Sequence, residues 1–144
     1  MRKSVQLLAA ATTMAGLTLS AMPAAQADST IVKIKKRGHL SDSYKIAYVK
    51  GTVTCSEDTT SARLTATLTQ VTVGGTQTQT AQVTHINAFE CDGEEETVWL
   101  AMRRPTGGFK WEKGKARVTD FVFETQDPSG TYSDVAKGRT VRLR

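Results

Sequence analysis

Cysteine and histidine are scarce in this 144-residue chain: Cys55 and Cys91, His39 and His85 are the full set. So few soft ligands exclude a thiolate-rich zinc centre, which draws closely spaced cysteines and histidines into one tetrahedron. The two cysteines do not form a C-x-x-C pair, which excludes the usual dithiol redox arrangement. No serine lies in a G-x-S-x-G elbow, and His39 and His85 read as solvated residues of a loop and a polar strand. No catalytic constellation emerges, no cofactor is implied, and the chain is not expected to be an enzyme. Beyond residue 27 no apolar run approaches the ~20 residues of a membrane-spanning helix. Internal repeats, low-complexity tracts and long linkers are also missing.

What is present begins at the N-terminus. Arg2 and Lys3 precede the uncharged run "VQLLAAATTMAGLTLSAM" (residues 5–22), and "AQA" (residues 25–27) offers a small-x-small cleavage pattern. This predicts a secretory signal-peptide helix over residues 1–27, removed before Asp28, and an exported domain over residues 28–144. The competing reading is an uncleaved anchor, against which stand the short, Ala- and Thr-rich core and the cleavage pattern. Loss of Arg2 and Lys3 lowers the net charge from +5 to +3. That bias is too mild for a dedicated nucleic-acid binder, and no specific nucleic-acid recognition is expected.

In an exported chain, two cysteines read most simply as one disulfide, Cys55–Cys91. Closing that loop removes roughly 3–4 kcal/mol of denatured-state entropy on the chain-entropy picture.

The remaining residues alternate. In "STIVKIKKR" (residues 29–37) Val32 and Ile34 oppose Lys33 and Lys35; in "ARLTATLTQ" (residues 62–70) Ala62, Leu64, Ala66 and Leu68 alternate with Arg63 and threonines. "KIAYVKGTVTC" (residues 45–55) keeps Ala47, Val49, Val53 and Cys55 on one parity. A period of two with abundant Thr and Val marks half-buried strands. Gly74-Gly75 and "DPSG" (residues 127–130) mark turns, and the polar arm after Gly75 reads as an edge strand. "TVWLAMRR" (residues 97–104) is apolar on both parities and reads as a central strand. "GKARVTDFVFET" (residues 114–125) changes phase near Asp120, which predicts a bulge. "GRTVRLR" (residues 138–144) ends the series with Val141 and Leu143 inward. About seven short strands predict an all-β fold: a single antiparallel β-sandwich of immunoglobulin-like outline, with a small closed barrel as the alternative. No tryptophan lies between the cysteines, so the expectation concerns architecture and not the antibody-type family.

"GTVTC" (residues 51–55), Gln70, "CDG" (residues 91–93), Trp99, Phe109 and "GKARV" (residues 114–118) follow one another in an order that resembles small exported immunoglobulin-like proteins of actinobacteria. The resemblance spans most of residues 45–143, implies the same Cys55–Cys91 bridge and brings no catalytic residues. The run Glu94–Glu95–Glu96 departs from it.

Three surface features remain. Basic residues gather as Lys33, Lys35, Lys36 and Arg37, as Arg139, Arg142 and Arg144, and as a group around residues 103–117. If the first and last strands are neighbours, the first two groups form one stripe suited to an anionic cell-wall polymer. The ordinary alternative is charge that keeps strand edges apart. "ECDGEEE" (residues 90–96) places Glu90, Asp92 and Glu94 where a calcium ion could be held, or reads as a solvated turn. Trp111 reads as more exposed than Trp99, which is expected in the core. The leading expectation is thus a secreted non-catalytic module that binds at the cell envelope. A secreted protease inhibitor presenting residues 104–108 or 126–132 to a protein target is the second.

Overall fold

The computed structural model describes residues 30–72 and 74–144, so the predicted signal peptide over residues 1–27 lies outside them. Eight strands follow in order: β1 (Thr30–Leu40), β2 (Ile46–Cys55), β3 (Ser61–Val71), β4 (Thr78–Ile86), β5 (Glu95–Arg103), β6 (Gly114–Asp127), β7 (Gly130–Ala136) and β8 (Arg139–Leu143). The all-β expectation holds. The strands pair as one continuous sheet in the order β4-β3-β6-β8-β1-β2-β5, with β7 also on β6. That sheet curls until β4 and β5 approach each other, so the architecture is barrel-like and nearly closed, and two cleanly separated layers are not seen. It is also mixed, because β1 and β8 run parallel while the other pairs are antiparallel. A lone hairpin cannot make such a pair; β1 and β8 meet only because the whole chain lies between them.

The period of two becomes an inside and an outside. Val32, Ile34, Ala47, Val49, Val53, Leu64, Leu68, Leu100, Met102, Val118, Val141 and Leu143 fill the interior. Two irregularities let the strands curl around it. On β6, Thr65 and Thr67 of β3 oppose Val122 and Thr119, so β6 carries one extra residue there, and Asp120 has φ of 51°. The predicted bulge is real, and it turns both Val118 and Phe121 inward. On β1 the register slips between Ile34 and Gly38, leaving Lys35, Lys36 and Arg37 outside the regular ladder and exposed.

The bends allow strands to change neighbours. The first part of β6 pairs β8 and the last part pairs β7 on the same edge. The early part of β1 pairs with neither β7 nor the start of β8; side chains from both reach across instead. Val32 N–H donates to Asp134 Oδ2 at 2.8 Å, and Arg139 Nη1 donates to the Ile34 carbonyl at 2.9 Å. Gly38 and Gly51 mark two close approaches between strands. A Cβ at Gly51 would fall 2.6 Å from Phe121 Cζ, and one at Gly38 would fall 2.7 Å from the Tyr48 carbonyl oxygen.

Cys55 and Cys91 form the expected disulfide, joining the end of β2 to the link between β4 and β5. Both predicted turns are present: Gly75 takes φ of 69°, and the Asp127 carboxylate accepts from the Ser129 N–H, Ser129 hydroxyl and Gly130 N–H. As expected, β4 is an edge strand. β5 is the other end of the sheet, not its centre. Its second apolar parity faces outward, where Trp99 stays 45% exposed.

Candidate functional site

Lys115 pairs with Arg142, and Arg142 pairs with Arg37, across β6, β8 and β1. All three side chains are exposed, because each lies on the parity opposite its strand's core residues. The row continues onto β2 and β5. Arg37 sits in the irregular stretch of β1 facing Lys50, and Lys50 pairs with Trp99. Neighbouring strands lie ~4.8 Å apart, so four steps span about 19 Å of outer surface. No acidic residue occupies a register position between Lys115 and Trp99.

Like charges directly opposite across a sheet repel. The folded chain tolerates that repulsion with little neutralisation: the one ion pair among the described residues, Arg63–Glu124 at 2.7 Å, lies elsewhere, on β3 and β6. At the end of the row, the Lys50 ammonium stands 5.3 Å from the Trp99 ring centroid, and the His39 ring lies 5.6 Å away and tilted. A cation over an indole and an exposed ring edge give this end both charge and a flat apolar surface. Beside Lys115, a groove of about 470 Å³ opens between Arg117, Thr69, Val71 and Thr140.

The two terminal basic groups therefore do come together, though unevenly. Arg37 and Arg142 are at the centre of the face, and Lys35 and Lys36 flank Arg37 in the slipped stretch of β1. Lys33 pairs with Thr52 and opens onto a separate groove of about 340 Å³ with Lys137 and Arg139. Arg139 is held there by the Ile34 carbonyl, and Arg144 lies beyond β8, its backbone bonded to Gly38 and Leu40. Lys115 and Arg117 joined the face only through the β6–β8 pairing, a long-range relation that no local pattern announces. Lys50 and Trp99 were missed for a similar reason. A strand apolar on both parities looks central until its neighbours are known.

Other expectations are corrected. Trp111 is buried at 1% exposure, with its indole N–H donating to the Met102 carbonyl at 2.9 Å, whereas Trp99 is the exposed indole. His39 lies on β1, not in a loop. In the acidic turn, Asp92 caps the Glu94 N–H at 2.9 Å and Glu96 accepts the Glu90 N–H at 2.8 Å. The carboxylates of Asp92 and Glu96 thus bond the backbone, as in the solvated-turn alternative for Glu90, Asp92 and Glu94, and no cluster of three metal-ligating side chains occurs among the described residues. Residues 104–113 are tied down at both ends, through Arg104 N–H to the Lys45 carbonyl and Trp111 N–H to the Tyr44 carbonyl. Comparison with known proteins gives no help with function: no family model matches the chain, and no curated protein matches it.

Proposed function

We propose that this protein is an exported, non-catalytic module that binds an anionic polymer at or outside the cell envelope through its basic face. The row Lys115–Arg142–Arg37, continued by Lys50 and Trp99, carries the reading. Repelling cations aligned across adjacent strands lower the fold's stability slightly and are favoured only when a polyanion neutralises them. Phosphate-bearing wall polymers match the charge, and the aromatic end suits their sugar or polyol units. Export rests on the N-terminal pattern and on the disulfide, which persists in an oxidising compartment. For the fold, we read the curled sheet as a variant of an immunoglobulin-like sandwich, related to the small exported actinobacterial proteins, with β4-β3-β6-β7 and β5-β2-β1-β8 as its two sides.

Binding to a poly(glycerol phosphate) wall polymer, measured by calorimetry between 50 and 200 mM salt, tests this. Affinity is expected to fall as salt rises, because displaced counterions drive association. Binding that is insensitive to salt, or unchanged in an Arg37→Ala/Arg142→Ala variant, refutes the proposal.

A further inference from the structure

Among the described residues, the buried side-chain polar atoms without a hydrogen-bond partner are Oε1 and Nε2 of Gln79. Gln79 is the second residue of β4, is 4% exposed, and faces inward. Burying an amide with neither end paired is costly, so a buried amide of this kind normally meets a partner. Its carboxamide lies against Gly108, where a Cβ would fall 2.4 Å from Oε1. Gln79 and Gly108 both line a cleft of about 490 Å³ between the start of β4 and the link from β5 to β6, with Thr78, Thr80, Pro105 and Phe109 around it.

Gln70 shows what such an amide does in this protein. It is the register partner of Gln79 on β3 and is equally buried. Its Oε1 accepts the Glu112 N–H at 2.9 Å, and its Nε2 donates to the Glu112 carbonyl at 2.8 Å. One glutamine thereby grips both backbone groups of a single residue. The match is general, because a carboxamide carries one donor end and one acceptor end, complementary to a peptide unit.

We infer that Gln79 is a second clamp of this kind, made for a backbone that belongs to another protein. The ligand is an extended, uncharged peptide segment lying in the cleft along β4. Three observations converge on it. The side chains around the cleft are uncharged, so nothing in it selects an ionic ligand. β4 hydrogen-bonds to β3 alone, and an open strand edge binds extended peptides through the main chain. Gly108 presents bare backbone beside the amide, the space of its missing Cβ being filled by Gln79 Oε1, so the wall of the cleft is already peptide-like there. This inference does not depend on the basic face.

Random twelve-residue peptides displayed on phage and selected on the purified protein provide the test, with Gln79→Leu as the comparison. Enriched peptides are expected to bind Gln79→Leu at least tenfold more weakly and Arg37→Ala/Arg142→Ala equally well. Amide chemical shifts on titration with the best peptide are expected to change at residues 78–81 and 105–109. Gln79→Leu itself is expected to melt no lower than the wild type, since removing an unpaired buried amide leaves nothing orphaned. A clear fall in its melting temperature means that the amide already has a partner within the chain, and overturns the inference. So do equal affinity for both proteins, shifts elsewhere, or a failure to enrich any peptide. Chitotetraose moving the same resonances where peptides move none assigns the cleft to acetamido sugars and equally overturns it.

Discussion

Phe121 packs directly against Gly51, leaving no room there for even one methyl group. Gly51→Ala is therefore expected to lower stability by about 1–3 kcal/mol, the usual cost of overpacking, measured as a shift in the urea midpoint. Asp127 supports a second prediction at the same scale. The Ser129 hydroxyl, helped by the Ser129 and Gly130 N–H groups, holds its carboxyl below the ordinary value of 3.8. A lowered folded-state pKa means stabilisation that is present above about pH 4 and lost as pH falls through the lowered value. In a carboxyl-shift titration, Ser129→Ala is expected to move Asp127 back up towards its ordinary range. Single residues were legible in the sequence where a local rule governs them, as in the turn over residues 127–130. They were illegible where only neighbours decide: Trp99 and Trp111 exchange their expected places because β5 ends the sheet, and because the Trp111 indole finds a buried carbonyl on Met102.

At the scale of strands, alternation was enough to locate most elements, since one buried face imposes it directly. The β6 bulge was readable too, because Val118 and Phe121 can both face inward only if one residue is extra. The slip in β1 was not; "KKR" looks like ordinary edge charge until Gly38 resumes the inward parity. For the same reason the candidate face was half legible. Its members on β1 and β8 were legible as one stripe on the condition that those strands are neighbours, while Lys115 and Lys50 reached it through pairings between distant segments. Successive Ala substitution of Arg37, Arg142 and Lys115 is expected to reduce the slope of log affinity against log salt by about 0.7 each, by analogy with single-stranded polyanions. Thermal stability is expected to hold or rise slightly, because each change removes a cross-strand repulsion. A melting temperature that falls with each step would instead assign these side chains a structural task.

For the molecule as a whole, the disulfide ties the end of β2 to the link between β4 and β5, beside the seam where the curled sheet stays open. A Cys55→Ser/Cys91→Ser variant is expected to lose roughly 3–4 kcal/mol in urea unfolding, given the 36-residue separation, while keeping its strand spectrum at low denaturant. All-β character could be read from the residues alone, whereas the closure could not, because sheet order depends on which distant edges meet. The sheet order also places β8, last of the eight in the chain, at the centre of the β4-β3-β6-β8-β1-β2-β5 path. A partly synthesised chain thus lacks the keystone of its own sheet. Without residues 139–143, β1 and β6 have no strand between them and keep only weaker ties, such as the Val32 N–H bond to Asp134 on the neighbouring β7. The five residues of β8 therefore act as a latch, fastening the β4-β3-β6 side of the sheet to the β1-β2-β5 side.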